Sequence, residues 1–165
     1  MSTIYFEKSL QFLSLIGIEV IITERNEAGF LPGLYIEDGK ILVDKSTLSY
    51  PGDILHEAGH LAVVPYVERS TLSTTSIASR PNREAEEMMA IAWSYAACVH
   101  LEIDPSFVFH ENGYKGGGAT IINNFRLKQY FGLPMLQWTG MAVDEKNAAL
   151  RDIKPFPYMI KWMRD

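Results

Sequence analysis

The chain has a single cysteine, Cys98, among its 165 residues, so no disulfide can form within it. It also lacks an apolar run of the length that crosses a membrane. The first residues, MSTIYFEK, lack the basic region and the following apolar stretch of a signal peptide. Because one thiol fits a reducing compartment, we expect a cytoplasmic protein with no membrane partner.

Basic residues are fewer than acidic ones, since the chain has 15 Lys and Arg and 20 Asp and Glu, which gives a formal net charge of −5. This balance argues against nonspecific binding to nucleic acid, whose phosphates attract basic surfaces. Two motifs are also missing. The glycine-rich stretch at 113–118 lacks the G-K-[ST] ending of a phosphate-binding loop, and the P-C-x-x-C of a zinc nucleobase deaminase does not occur.

The chain does have enough apolar residues for a core, because 47% of its residues are hydrophobic and 12% are aromatic. These values are typical of globular proteins rather than of disordered chains. A chain of this length can bury a sizeable core as one unit. We therefore predict a single domain over residues 1–165, and the sequence indicates no oligomeric state.

The most informative motif is H-E-A-G-H at residues 56–60. On a helix, His56 and His60 lie on one face, so both imidazoles can reach one metal ion. Glu57 follows the first histidine, and from there it can take a proton from a water on the metal. The helix expected over about 51–64 is mostly apolar, so these polar side chains must be paired or coordinated. The alternative is an ordinary buried helix whose histidines bond to neighbouring groups.

A catalytic zinc site usually has three protein ligands and a water. Cys98 lies within an apolar run and is a poor candidate for the third. A second helix, predicted over 83–101, has Glu84, Glu86 and Glu87 near its start. Carboxylates there also complement the helix dipole, so the residues alone leave the choice among the three open.

The motif and the second helix resemble the ImmA/IrrE-type zinc metallopeptidases, which are small gluzincins. In that family H-E-L-G-H precedes a helix that reads roughly E-A-N-x-F-A, and here the second helix contains E-M-M-A-I-A. The resemblance covers about residues 29–97, and it implies Zn²⁺ as the cofactor and Glu87 as its third ligand. It places Ile91 at the family's aromatic position and Ala92 at its small one. A hairpin expected over 34–44, with a glycine turn, matches the segment that precedes the metal helix in the family.

The fold class that follows is α+β and zincin-like, with a small, mostly antiparallel sheet or hairpin packed on the H-E-x-x-H helix and on a second ligand-bearing helix. The metal-binding core spans about residues 29–101, and the sequence assigns no clear role to residues 102–165. The Ser- and Thr-rich stretch at 65–82 is expected to be a long loop with some strand. The other expected elements are a helix over 3–16, a strand near 18–22, a loop at 24–33, a helix over 119–130 and an aromatic tail at 156–163 that packs on the core.

The predicted function is zinc-dependent hydrolysis of a peptide or protein substrate. Glu57 accepts the proton of the attacking water and passes it to the leaving amine. His110 and Tyr114 are candidates for stabilising the charged tetrahedral intermediate, and the alternatives are an exposed loop histidine and a packed tyrosine. From the resemblance, the strand at Ile41–Val43 is expected to pair with an extended substrate at the sheet edge. Two other functions stay open, namely a zinc-binding protein that cleaves nothing and binds a partner, and a zinc hydrolase of small amides.

Overall fold

The computed structural model describes residues 2–25 and 31–165, and in them eight α-helices and three β-strands form an α+β fold, as predicted. The helices are α1 (Ser2–Leu15), α2 (Asp53–Val63), α3 (Tyr66–Arg69), α4 (Thr74–Ala78), α5 (Arg83–Leu101), α6 (Gly118–Arg126), α7 (Leu133–Trp138) and α8 (Glu145–Arg151). The strands are β1 (Val20–Thr23), β2 (Leu34–Glu37) and β3 (Lys40–Asp44). Buried apolar side chains from α1 to Phe156 form one hydrophobic cluster.

The sheet has the strand order β1-β3-β2, so β3 is its central strand. β2 and β3 form the predicted antiparallel hairpin, joined by a turn at Asp38 and Gly39 in which both residues have positive φ. β1 pairs with β3 in parallel, with Val20 opposite Ile41. The sheet is therefore mixed rather than mostly antiparallel, because one of its two strand pairs is parallel and the other is antiparallel. The loop predicted at 24–33 lies partly outside the described residues.

The strand expected to receive a substrate does not lie at an edge of the sheet. β3 is hydrogen-bonded to β1 on one side and to β2 on the other. The prediction that a substrate peptide pairs with Ile41–Val43 is therefore wrong. The outer side of the hairpin is also engaged at two points. The Ile36 N–H donates to Thr74 Oγ1 at 2.9 Å, and the Gly39 N–H donates to the Leu72 carbonyl at 3.0 Å. The lateral order of strands depends on contacts distant in sequence, which the pattern of one strand does not contain.

The helices α2 and α5 pack closely against each other in the centre of the molecule. At Gly59 of α2, an added Cβ would lie 2.9 Å from the Ala90 carbonyl oxygen of α5, so this approach requires glycine. Trp93 of α5 is fully buried, as expected for a core helix. The helices predicted over 51–64 and 83–101 are thereby confirmed, with α2 starting two residues later than expected.

The stretch between the two long helices is helical, because it contains α3 and α4 where the sequence predicts a loop with some strand. The Ser73 hydroxyl accepts a hydrogen bond from the Ser76 N–H at 3.1 Å, and the Ser76 hydroxyl accepts one from the Ser73 N–H at 2.8 Å. This reciprocal pair is a capping box, which starts α4. The Ser- and Thr-rich composition therefore marks a helix start here rather than a strand.

The C-terminal part of the chain packs on the core, as predicted for the aromatic tail. Phe156 is buried, and the Trp93 indole N–H donates to the Trp162 carbonyl at 2.9 Å. The helix predicted over 119–130 is α6, which ends earlier than expected, shortly before Lys128 takes a φ of +60°. In the described part of the chain, no helix combines the length and apolar content of a membrane span.

Candidate metal centre

The helices α2 and α5 bring the predicted ligands to one point. His56 and His60, one turn apart on α2, place their Nε2 atoms 3.1 Å from each other. Glu87 of α5 places one carboxylate oxygen 3.5 Å from His56 Nε2 and the other 3.3 Å from His60 Nε2. Donor atoms at about 2.0–2.1 Å from a tetrahedral zinc lie about 3.3 Å from one another. The three side chains therefore have the spacing of donors to a single ion.

Burial sets the protonation state of both histidines. It lowers the pKa of His56 to about 4 and that of His60 to about 3, where His56 adds to the lowering and Glu87 opposes it. Both imidazoles are therefore neutral at pH 7, which is the form that binds a metal. Their contacts with Glu87 are consequently not ion pairs. Two neutral nitrogens and a carboxylate form a donor set that zinc accepts, as do other divalent transition metals.

Two carboxylates approach the histidines, and their positions differ. Glu57 offers an oxygen that lies within 4.8 Å of the nitrogens of His56 and His60, from the same helix. Glu87 makes the closer contacts from the second helix, and 41% of its side chain is exposed, against 12% and 10% for the two histidines. The shorter distances favour Glu87 as the third ligand and leave Glu57 as a free carboxylate beside it.

The other two glutamates at the start of α5 have different partners. Glu84 is 77% exposed and lies 3.6 Å from the guanidinium of Arg83. Glu86 is buried, and both of its oxygens accept hydrogen bonds from Arg80. Of the three candidates that the residues alone left open, the structure thus brings Glu87 to the imidazoles.

The buried carboxyl of Glu57 has a raised affinity for protons. Burial accounts for most of this effect, and repulsion from Asp53 and Glu87 adds to it, so that the pKa of Glu57 rises to about 8. A cation at the neighbouring donors would oppose this shift, since positive charge favours the carboxylate. A carboxyl under these two opposing influences is suited to exchange a proton near neutral pH.

His110 lies beside the N-terminal end of α2, held by two residues that the sequence did not indicate. Its Nε2 atom is 3.0 Å from an Asp53 carboxylate oxygen, and its ring stacks on Tyr50 with 4.0 Å between the centroids. Asp53 precedes Glu57 by one helical turn, so the His110–Asp53 pair borders the site. Burial raises the pKa of Asp53, and the bond to His110 opposes the rise. Within residues 2–25 and 31–165, the buried Nδ1 atom of His110 has no hydrogen-bond partner.

Tyr114 lies against the metal centre, with its ring edge-to-face with that of His56 at 5.4 Å between centroids. Its hydroxyl is buried and has no hydrogen-bond partner among the residues that the structure describes. Burial, followed by repulsion from Asp53, Glu87 and Glu57, raises the pKa of the phenol well above 10, so the hydroxyl keeps its proton. The backbone at Tyr114 has a φ of +53°, an unfavourable conformation for a non-glycine residue. A buried, protonated hydroxyl is thus available at this point, and three carboxyl groups act on it electrostatically.

Two further aromatic residues of α5, Tyr95 and His100, take structural positions away from the candidate centre. Tyr95 is buried against the ring of Phe125, and His100 lies at the exposed end of α5 against Phe12 and Trp162. The sequence did not indicate the roles of Tyr50, Asp53 and Arg80. Asp53 alone had a local signal, because its spacing of four from Glu57 places both on one helix face.

Comparisons with protein-family models, with curated proteins and with solved structures find no match to this chain. The assignment of a metal centre consequently depends on the geometry and the chemistry of its residues. The similarity to ImmA/IrrE-type metallopeptidases stays a hypothesis from the spacing of the motifs.

Proposed function

We propose that this protein is a zinc-dependent metallopeptidase with a zincin-like site. The observation that supports this most is the position of Glu87, which reaches both imidazoles of the H-E-x-x-H motif from another helix, at 3.5 and 3.3 Å. An accidental H-E-x-x-H sequence in a buried helix gives no reason for a carboxylate to be placed there. The resemblance to the ImmA/IrrE-type metallopeptidases supports the same function.

In this proposal His56, His60 and Glu87 hold the metal through two nitrogens and a carboxylate. When bound, zinc polarises a substrate carbonyl and lowers the pKa of a water to about 7. Glu57 lies beside the three ligands, and its carboxylate accepts a proton from the attacking water. The same carboxyl then gives the proton to the leaving amine, which completes the hydrolysis.

Tyr114 is suited to stabilise the negative charge that develops on the substrate oxygen. Its hydroxyl is protonated and buried, and its ring packs against that of His56. Because no described residue accepts a hydrogen bond from this hydroxyl, it can donate one without breaking another. His110 is the second candidate for this role. Its Nε2 atom already bonds to Asp53, so its contribution is to hold Asp53 at the edge of the site.

The exposure of the ligands favours a peptide or protein over a small amide as the substrate. The Glu87 side chain is 41% exposed, whereas His56 and His60 are nearly buried, so the centre opens to solvent on the Glu87 side. A site built for a small amide needs enclosure to bury most of its ligand. An open side admits a chain that continues in both directions.

Hydrolysis of a library of internally quenched fluorogenic peptides, by zinc-loaded protein, tests this function. We expect cleavage by the wild type and by Glu84→Gln, whose side chain is exposed, and none by Glu57→Gln. Glu57→Gln should keep its zinc, because Glu57 is not a ligand in this proposal. Wild-type protein that holds zinc and cleaves no peptide would favour a zinc-binding protein or a small-amide hydrolase. Full activity in zinc-loaded Glu57→Gln would contradict the mechanism.

A further inference from the structure

Arg80, in the turn before α5, binds carboxylates on two sides. Its Nε and Nη2 atoms donate to the two oxygens of Glu86 at 2.5 and 2.8 Å, and Nη2 also donates to Glu68 of α3 at 2.7 Å. The side chains of Arg80 and Glu86 are only 16% and 8% exposed, whereas Glu68 is 47% exposed. A bidentate guanidinium–carboxylate pair with little solvent is among the stronger hydrogen-bonded contacts in proteins.

The position of Glu86 connects this pair to the metal centre. Glu86 directly precedes Glu87, and its negative charge opposes the lowering of the His60 pKa. A buried carboxylate without a partner takes up a proton or pairs with a nearby cation, because an unpaired buried charge is costly. Without Arg80, Glu86 would therefore compete with Glu87 for the same metal.

Arg80 also fixes the start of α5. The N-cap residue of this helix, Asn82, makes no side-chain hydrogen bond to the first turn. The contacts of Arg80 to Glu86 and to Glu68 tie this end of α5 to α3 instead. The direction of the Glu87 side chain depends on where this turn of α5 is held.

We propose that Arg80 is a positioning residue of the metal centre, which holds Glu86 away from the ion and thereby leaves Glu87 as the third ligand. The inference rests on the proposed zinc site and concerns a divalent cation as its ligand. Arg80 itself contacts neither the histidines nor the metal, and it acts through Glu86.

The test is the affinity for Zn²⁺ alone, measured by competition with a chromogenic chelator, together with the visible absorption spectrum of the Co²⁺-loaded protein. The variants are Arg80→Ala, Arg80→Lys, Glu86→Gln and the double variant Arg80→Ala/Glu86→Gln. Glu84→Gln is the matched control, since its exposed side chain contacts Arg83 and its loss leaves the bonds of Arg80 to Glu86 and Glu68 intact. Circular dichroism of each metal-free variant checks that it is folded.

We expect Arg80→Ala to weaken zinc binding about 10- to 100-fold and to alter the Co²⁺ spectrum, as the loss of a ligand-orienting contact does. The double variant should regain the affinity of Glu86→Gln, because the competing charge is gone. Arg80→Lys should show a smaller loss, since lysine keeps the charge and loses the fork geometry. If Arg80→Ala does not fold, Arg80→Lys and Arg80→Lys/Glu86→Gln provide the same comparison.

Two results would overturn the inference. Arg80→Ala with wild-type zinc affinity and an unchanged Co²⁺ spectrum would show that Arg80 does not affect the centre. A double variant as weak as Arg80→Ala would show that Arg80 stabilises the structure without acting through Glu86. Either result leaves the proposed function standing, whereas a wild-type protein that binds no zinc removes the proposed function and this inference together.

Discussion

The imidazoles of His56 and His60 stay neutral at pH values well below 6.5, the ordinary pKa of histidine. Burial is the main cause, because it lowers their pKa values to about 4 and about 3. The two imidazoles could therefore accept a metal ion at neutral pH without protons that the cation must first displace. The spacing of the two histidines is local and could be predicted from the sequence. The contact of His110 with Asp53 joins residues 57 positions apart, and no local pattern predicts it.

At the residue scale, the two histidines should make the metal-free protein sensitive to acid. Their folded pKa values lie below the unfolded value of 6.5, so below pH 6.5 the unfolded chain binds protons that the folded chain does not. Stability is therefore lost as the pH falls from about 6.5 toward 4. Between pH 7 and pH 5 the loss is about 2 kcal/mol for each histidine.

Urea unfolding of metal-free protein at the two pH values measures this effect. The variant His56→Gln/His60→Gln should lose less stability between pH 7 and pH 5 than the wild type. His100→Gln is the control, because His100 is exposed at the end of α5 and should leave the acid sensitivity unchanged. Equal acid sensitivity in the double variant and the wild type would contradict the burial of neutral imidazoles.

The second prediction at the residue scale concerns Tyr114. Tyr114→Phe removes a buried hydroxyl without a partner, so the metal-free protein should keep or gain stability. Removal of an oxyanion donor should lower kcat about 100- to 1000-fold while zinc content and KM change little. Steady-state kinetics and thermal unfolding check both parts, with Tyr5→Phe, at the packed ring pair with Phe107, as the control. An unchanged kcat in Tyr114→Phe would show that the hydroxyl has no role in catalysis and that this tyrosine only packs against its neighbours.

At the scale of elements, the sequence predicts best what is encoded locally. The glycine turn at Gly39 predicts the hairpin, and long apolar segments predict α2 and α5. The parallel pairing of β1 with β3 depends on segments far apart in sequence, and the expected substrate strand was misplaced for that reason. The Ser- and Thr-rich stretch at 65–82 was expected to be a long loop with some strand, but the capping pair at Ser73 and Ser76 forms a helix start.

The packing of α2 on α5 gives a prediction for Gly59. A Cβ there would lie 2.9 Å from the Ala90 carbonyl oxygen, which belongs to backbone and cannot rotate away. Gly59→Ala should therefore move the helices apart, which lowers stability by about 1–3 kcal/mol despite the better helix propensity of alanine. Because Glu87 is on α5, one turn before Ala90, zinc affinity should fall as well.

Thermal unfolding and chelator competition measure the two effects of Gly59→Ala. A variant with wild-type melting temperature and zinc affinity would show that the two helices tolerate the added methyl group. In that case the close approach at Gly59 is not required for the geometry of the centre.

At the scale of the whole molecule, two arginines distant in sequence hold the C-terminal end of α2. Arg69 donates from Nε to the Leu61 carbonyl at 2.8 Å and from Nη2 to the Arg164 carbonyl at 2.7 Å. The Arg164 backbone N–H donates to the Ala62 carbonyl at 2.9 Å. Positive charge at a helix C-terminus is favourable, and these bonds satisfy carbonyls that a helix end leaves open. Packing of the tail was predicted, whereas its role in supporting α2 was not.

Arg69→Ala should therefore destabilise the protein by about 2 kcal/mol, since hydrogen bonds from a charged donor to buried carbonyls are lost. Arg151→Ala, which removes an exposed arginine from the end of α8, is the matched control and should change stability little. Denaturant unfolding of both variants gives the comparison. Equal stability of Arg69→Ala and Arg151→Ala would show that the end of α2 needs no such support.

The central claim is that His56, His60 and Glu87 form one zinc site, and elemental analysis of metal in the purified, untagged protein tests it most directly. We expect about one zinc per chain in the wild type and in Glu84→Ala, as for a single three-ligand site. His60→Ala and Glu87→Ala should lose the metal. Wild-type protein without metal after zinc is supplied, or full zinc content in Glu87→Ala, would contradict the account.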